Sequence, residues 1–316
     1  MTDRSNAPAP GEYFRIEQLA EGVYAAIVVP GRGAWGNAGI VDLGAQTLVF
    51  DSFATVAAAQ ALHDAAVELT GRAPAWVVNS HNHADHIMGN AAFPEATIVA
   101  TAATRDLIGV RAPAFVEYAR THPEELDSLE QELAREADPN KQRGLRMILG
   151  EYRAIQRGLP DLQIRLPDLT FSDRLTFHGA RRTAELITLG GGHTPSDAFL
   201  YLPADRVIFM GDLGQVGYHP SMSQGNPDTW IGILDQVAAR DVATVAPGHG
   251  PVGTPADLAL LRQYIRDLQQ MGADLRAMGI PVEELAQVPV PVAYQAWEYS
   301  NGFGDNLRFM YERAQP

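Results

Sequence analysis

Residues 81–86 place four potential metal ligands next to one another, and they constrain the fold more than any other feature. The segment reads HNHADH and follows the apolar run at 75–78 after two residues. Such a run predicts a buried strand, so the ligands are expected on the loop at its end. Crowded imidazoles need a rigid scaffold to converge on one point. The spacing i, i+2, i+4, i+5 favours a tight loop around a pair of metal ions over the helix of an HExxH motif.

The net charge and the missing residue types limit the partners and the metal ligands that we expect for this protein. The formal net charge is −14, with no basic run. Nucleic acids and anionic membrane surfaces need clustered Lys and Arg, so we expect neither as a partner and instead expect a small-molecule substrate. Lys141 is the only lysine, so an anion contact must use Arg or backbone groups. Because the chain has no cysteine, a metal site must be built from His and carboxylates.

The sequence predicts a cytoplasmic protein. No apolar run approaches the ~20 residues that a membrane span needs. The N-terminal residues 1–8 lack the apolar core of a signal peptide. Residues 1–12 predict a disordered arm.

The chain is predicted to form a single domain over residues 1–316, because no linker divides it. Short apolar segments separated by turn residues predict strands at 24–29, 40–43, 47–50, 75–79, 97–100, 183–189, 197–202, 205–210 and 243–246. Composition and spacing predict helices at 54–69, 227–239 and 255–278.

Two segments stand apart from this α/β pattern. Residues 103–160 are rich in Glu, Arg, Leu and Ala with helical spacing, and predict a helical insertion. The insertion is either a solvated element or a lid or homodimer element over the site, and both alternatives stay open. Phe115 and Tyr118 within it either cover a hydrophobic substrate or pack between helices. Residues 280–316 are predicted to be a C-terminal extension.

Three further segments each place one ligand-type residue among glycines after a predicted strand. They carry His193, Asp212 and His249. Ligands at strand ends with small neighbours can converge on one edge of a sheet and leave space for ions and substrate.

The order HxHxDH, His, Asp, His resembles the metallo-β-lactamase superfamily over roughly residues 20–260. The resemblance implies a four-layer αβ/βα sandwich, with two mixed sheets packed face to face and helices outside. It also implies two metal ions, expected to be Zn²⁺, with Fe or Mn as alternatives of compatible ligand chemistry.

The resemblance assigns a role to each motif residue. The first metal is expected on His81, His83 and His193, the second on Asp85, His86 and His249, with Asp212 bridging both. Asp85 is also a candidate catalytic residue that orients the attacking hydroxide or relays its proton. Asp51 ends a predicted strand and is either a supporting residue behind the ligands or a turn cap.

The expected activity is hydrolysis of a lactone, ester, thioester or β-lactam by a hydroxide shared between two ions. Tyr218 follows Asp212 by six residues. In lactonase relatives a Tyr shortly after this Asp assists the substrate carbonyl, so Tyr218 is either a second catalytic candidate or an ordinary packing residue. Two alternatives stay open, namely a mononuclear Fe enzyme similar to persulfide dioxygenases and a non-catalytic protein that kept the fold.

Overall fold

The computed structural model describes residues 10–314. The predicted N-terminal arm therefore lies mostly outside the described residues, as do the last two residues of the predicted C-terminal extension. Residues Pro10–Glu12 form a single 3-10 turn, which differs from the predicted disorder.

The larger sheet has seven strands in sequential order. The first four pair antiparallel and the remaining pairs are parallel. The strands are β1 (Phe14–Ala20), β2 (Val23–Val28), β3 (Ala38–Asp42), β4 (Thr47–Phe50), β5 (Trp76–Val78), β6 (Thr97–Thr101) and β7 (Leu169–Phe171).

The smaller sheet has five strands in the order β12-β11-β10-β9-β8. All pairs are antiparallel except β11 with β12. The strands are β8 (Arg174–His178), β9 (Thr183–Thr188), β10 (Ala198–Leu202), β11 (Val207–Phe209) and β12 (Thr244–Ala246).

Eight α-helices lie within the described residues 10–314. They are α1 (Val56–Thr70), α2 (Ala84–Ile87), α3 (Ala102–Thr121), α4 (Glu124–Arg135), α5 (Pro139–Gly158), α6 (Pro227–Ala238), α7 (Pro255–Ala277) and α8 (Asn301–Arg313). None of these helices is long and apolar enough to cross a membrane.

The two sheets pack face to face because their strands are apolar on both sides. In β2, Val23, Ala25 and Ile27 point into the core between the sheets, where Phe50 and Phe209 pack with ring centroids 5.8 Å apart. The alternate residues of the larger sheet pack on α1. The outer face of the smaller sheet packs on α6, α7 and α8. The expected four-layer αβ/βα sandwich is therefore confirmed.

Helices α3, α4 and α5 occupy the chain between the parallel neighbours β6 and β7. Apolar residues of α3 and α5 form a separate small core with Ile87 and Met88, which directly follow the HNHADH segment. Helices α3 and α5 therefore pack next to the segment that carries the candidate ligands, whereas α4 has no buried residue.

The C-terminal residues pack against α7 through buried aromatic rings. Tyr264 of α7 contacts Trp297 and Tyr294, with ring centroids 4.9 Å from each. His219 joins this cluster and accepts or donates a hydrogen bond at 3.0 Å from the Tyr264 hydroxyl. The cluster fixes the segment that follows Asp212 along the chain.

Candidate metal centre

The candidate ligands are brought together by the directions of the strands that precede them. β9, β11 and β12 run the same way, since β10 is antiparallel to both β9 and β11, and β12 is parallel to β11. Their carboxyl ends therefore meet at one sheet edge, where His193, Asp212 and His249 follow. The segment after β5 meets them from the other sheet. It is not a loop throughout, because residues 84–87 form one turn of helix, α2.

The seven predicted ligands lie together in two groups. In each group the potential ligand atoms are within 4.8 Å of one another. The first group is His81, His83, His193 and Asp212, and the second is Asp85, His86 and His249.

Asp212 touches both groups with its two carboxylate oxygens. Its Oδ2 lies 3.2 Å from His193 Nε2 and 3.3 Å from His249 Nε2. Its Oδ1 lies 3.2 Å from His86 Nε2. A carboxylate in this position is able to bridge two ions.

Several donor atoms of the centre are buried and unused. Nε2 of His81 is buried and makes no hydrogen bond with any residue between 10 and 314, and Nε2 of His86 and Oδ1 of Asp212 face each other at 3.2 Å without the geometry of a hydrogen bond. Nδ1 of His83 faces Nε2 of His193 at 3.0 Å. Buried polar atoms without partners are rare in folded proteins. Imidazole and carboxylate donors converging in this way fit a zinc-type ion.

The protonation states suit metal binding in the first group. Burial lowers the pKa of His193 to about 3, and burial followed by the charge of His86 holds the pKa of His81 well below its usual value. Both rings are therefore neutral at neutral pH, the form that binds metal. Burial raises the pKa of Asp212, but the charges of His249 and His86 outweigh it and hold the pKa well below its ordinary value.

Asp51 supports the centre from behind the ligands. Its buried carboxylate lies 2.8 Å from Nδ1 of His86 and accepts hydrogen bonds from the backbone and hydroxyl of Ser80, both at 2.7 Å. The Ser80 hydroxyl in turn lies 2.9 Å from Nδ1 of His81. Holding the outer nitrogen of each ring turns its Nε2 toward the centre. Of the two alternatives for Asp51, the geometry therefore matches the supporting residue.

Two further residues support the candidate ligands but are not predicted from the sequence. The buried carboxylate of Asp197 accepts hydrogen bonds from the backbone of Gly192 and Thr194, on both sides of His193. The Asn37 amide donates to the carbonyls of Pro247 and Gly250, which flank His249. Asp197 lies within five residues of both of its partners in the sequence, whereas Asn37 contacts residues more than 200 positions away.

A large cavity of about 440 Å³ opens beside the second group. Apolar side chains make up much of its wall, and it reaches the ring of His249. Tyr218 stacks on that ring with centroids 5.1 Å apart, and its hydroxyl lies 3.6 Å from the Met147 sulfur. Trp35 of the β2–β3 loop and Met147 of α5 complete this side. The structure thus places Tyr218 beside the centre, while Tyr118 is exposed and bonds to Glu125.

Glu151 of α5 joins the helical segment to the β2–β3 loop. Its buried carboxylate accepts the backbone N–H groups of Gly31 and Gly33, both at 2.6 Å. Burial raises the pKa of Glu151 to about 7. Nearby, Trp35 and Tyr152 pack with ring centroids 5.7 Å apart. One wall of the large cavity therefore depends on the contact between the loop and α5.

The chain belongs to the metallo-β-lactamase superfamily, because residues 35–249 match the model of that family. A curated relative, a type 2 metallo-β-lactamase from Bacteroides fragilis, is 30% identical over 105 residues, which are 32% of this chain. That match spans 40% of the relative's length.

Solved structures show the same fold. A metallo-β-lactamase from Pontibacter korlensis has a TM-score of 0.56 at 18% identity, over 80% of this chain and 99% of its own. The metallo-β-lactamase FIM-1 from Pseudomonas aeruginosa, in its mono-zinc form, has a TM-score of 0.57 at 14% identity, over 81% and 96%. The stereoselective inverting sec-alkylsulfatase Pisa1 from Pseudomonas sp. has a TM-score of 0.66 at 17% identity, over 95% of this chain and 50% of its own.

Proposed function

We propose that this protein is a metal-dependent hydrolase that holds two ions and cleaves a carbonyl substrate such as an ester, lactone, thioester or β-lactam. The observation that carries the proposal is the position of Asp212, whose two oxygens reach ligands of both groups. When bound, two such ions lower the pKa of water and polarise a carbonyl oxygen. Zinc suits the donor set, which contains only imidazole and carboxylate.

Asp85 is the proposed proton acceptor. Its Oδ2 lies 3.2 Å from Nε2 of His249 and 3.3 Å from Nε2 of His86. Burial raises the pKa of Asp85, but the neighbouring His86 and His249 outweigh this and hold the pKa well below its usual range. Its carboxylate is therefore ionised at neutral pH and able to take a proton from the attacking water.

Tyr218 is the proposed donor to the substrate carbonyl. Burial, followed by the charge of Tyr299, raises the pKa of its phenol well above the ordinary value, so the hydroxyl stays protonated. A hydrogen bond from this hydroxyl to the developing oxyanion would stabilise the transition state.

Tyr218→Phe is expected to lower kcat about 10²-fold without changing the metal content, and an unchanged kcat would remove Tyr218 from the mechanism.

The lining of the large cavity suggests that the substrate carries an apolar acyl group. Trp35, Met147 and Tyr218 surround space of about 440 Å³ next to His249. Burial of a hydrocarbon chain there contributes ~0.8 kcal/mol per methylene. Longer acyl chains are therefore expected to give higher kcat/KM until the cavity is full.

Metal content and hydrolysis measured on the same preparation test the proposal. About two zinc ions per chain, with hydrolysis of a lactone, β-lactam, thioester or ester, would support it. His81→Ala should abolish hydrolysis, while His178→Ala serves as the matched control, since His178 is exposed on β8. About one iron per chain without hydrolysis would contradict the proposal and favour oxygen-dependent sulfur chemistry.

Sulfate-ester hydrolysis is a second candidate. The likeness to the sec-alkylsulfatase covers 95% of this chain, against 80% and 81% for the two β-lactamase structures. A secondary alkyl sulfate of matched chain length belongs in the same substrate panel. A higher kcat/KM for the sulfate than for every carbonyl substrate would favour this candidate.

A further inference from the structure

A second cavity of about 280 Å³ lies beside the first ligand group. It is bounded by Asn82 and His83 of the HNHADH segment, by Arg111 and Phe115 of α3, and by Gln224. The large cavity reaches the centre at His249 and this one reaches it at His83. The two ligand groups therefore each have a cavity of their own.

Polar groups without partners line the second cavity. Asn82 is only 3% exposed, and neither its amide nitrogen nor its amide oxygen has a hydrogen-bond partner within residues 10–314. Oε1 of Gln224 is also buried without a partner in that range. Because a buried polar atom that lacks a hydrogen bond costs ~1–3 kcal/mol, these groups point to a ligand that hydrogen-bonds in the cavity.

Arg111 gives the cavity a positive charge. No Asp or Glu among the described residues forms an ion pair with Arg111, and its guanidinium makes no hydrogen bond there. At the large cavity, Arg143 is paired with Glu298 at 2.8 Å, and Arg146 donates a hydrogen bond to Gln142 at 2.8 Å. Guanidinium groups bind carboxylates and other oxyanions through paired N–H donors.

We propose that the second cavity binds an anionic oxygen group of the substrate, a carboxylate or a similar oxyanion, through Arg111 with Asn82 and Gln224 as hydrogen-bonding neighbours. This rests on the proposed function, because the anion belongs to the molecule that is hydrolysed. The substrate then lies across the metal centre, with an apolar part in the large cavity and a charged part in the second one. The scissile bond falls between them.

Benzoate binding tests the anion site without catalysis. It is titrated calorimetrically into the metal-loaded protein at constant ionic strength. Because Arg111 is solvent-exposed, Arg111→Gln is expected to weaken binding about fivefold. Gln224→Glu should also weaken binding, since it adds a negative charge to the cavity. Arg120→Gln, an exposed arginine on the same helix outside the cavity, should bind as the wild type does. Equal benzoate affinity in the wild type and Arg111→Gln would overturn the proposal.

A pair of esters tests the same site during turnover. Phenyl butyrate and 3-carboxyphenyl butyrate differ only in one carboxylate. Arg111→Gln should raise KM for the carboxylated ester about fivefold and leave KM for the neutral ester within about twofold. An equal change for both esters would contradict the proposal, because it would show a structural effect.

The two tests separate this inference from the proposed function. If the metal-loaded wild type hydrolyses neither these esters nor the wider panel, the hydrolase proposal fails, and the benzoate titrations still decide whether Arg111 binds an anion. If hydrolysis occurs but Arg111→Gln changes neither benzoate affinity nor the KM difference, the anion site fails alone.

Discussion

Asp51 combines an unusual backbone with a demanding set of partners. Its φ of 61° lies in the left-handed region, which few residues other than glycine adopt. Strain of this kind costs ~1–3 kcal/mol and persists where the surroundings fix it. Here the buried carboxylate contacts His86 and two groups of Ser80. The conformation therefore serves to direct His86 toward the metal centre.

Asp51→Asn is expected to weaken metal binding in the second group ~10–100-fold. The Asp51 carboxylate uses both of its oxygens as acceptors, one toward Ser80 and the other toward His86. The side-chain amide of Asn has only one acceptor oxygen. Competition with a zinc chelator measures the affinity of each ion. Asp64→Asn, at an exposed aspartate on α1, is the matched control. Equal zinc affinity in Asp51→Asn and the wild type would show that Asp51 does not orient His86.

Gly36→Ala should displace His86 and remove the second ion. A methyl group at position 36 would lie 2.6 Å from the His86 ring and 3.1 Å from Oδ2 of Asp85. Elemental analysis should then find about one zinc per chain. Gly232→Ala is the control, since a methyl group there meets nothing within 4 Å. Retention of two ions in Gly36→Ala would mean that the loop moves aside freely.

Among the secondary-structure elements, α5 packs against the β2–β3 loop. Gly150 lets the helix approach closely, because a methyl group there would lie 2.5 Å from the carbonyl oxygen of Gly31. Glu151 then binds the backbone of Gly31 and Gly33. The three helices α3–α5 thus contribute to both cavities, through α5 at one and α3 at the other.

The contact of Glu151 predicts a pH-dependent stability. Burial raises its pKa from 4.5 to about 7 in the folded protein. Between these values the folded state holds a proton that the unfolded chain releases, so this contribution is complete below pH 4.5 and is lost as the pH rises through about 7. In urea unfolding, the stability of the wild type relative to Glu151→Gln should therefore fall between about pH 5 and 7.5.

Glu132→Gln provides the reference for this experiment, since Glu132 is exposed on α4. Its free energy of unfolding should follow the wild type at every pH. Parallel pH curves for the wild type and Glu151→Gln would disprove the linkage.

For the whole molecule, the candidate metal centre draws its residues from both sheets. The HNHADH segment follows β5 of the larger sheet, and the other three ligands follow strands of the smaller sheet. Ions that bind only the folded state add stability in proportion to the logarithm of their concentration over Kd. Bound metal is therefore expected to stabilise the contact between the sheets as well as the site.

Removal of the ions should lower the free energy of unfolding by about 4 kcal/mol for each ion lost, if free zinc exceeds the Kd of that site about 1,000-fold. Thermal unfolding with and without EDTA, followed by zinc addition, measures the loss and its recovery. Asp212→Ala should show no EDTA effect, because it lacks the shared ligand of both groups. A wild-type melting temperature unaffected by EDTA would contradict this expectation.

The sequence was most informative where local pattern and chemistry coincide. Buried strands such as β4 and β5 are short apolar runs, and the ligands follow such runs closely. Strands β7 and β8 and helix α8 were not predicted, because their exposed or mixed faces carry little periodic signal. The supporting roles of Asn37 and Glu151 depend on contacts across more than 100 residues, which no local pattern reveals.

The distribution of ligands along the chain also sets an order of assembly. Four ligands are present once residue 86 has been synthesised, but the shared carboxylate comes at residue 212 and the last imidazole at 249. A nascent chain therefore carries all four residues of the first group once residue 212 has been synthesised, whereas the second group lacks His249 until β12 has been made. A chain truncated before β12 would be released with the first group complete and the second group incomplete.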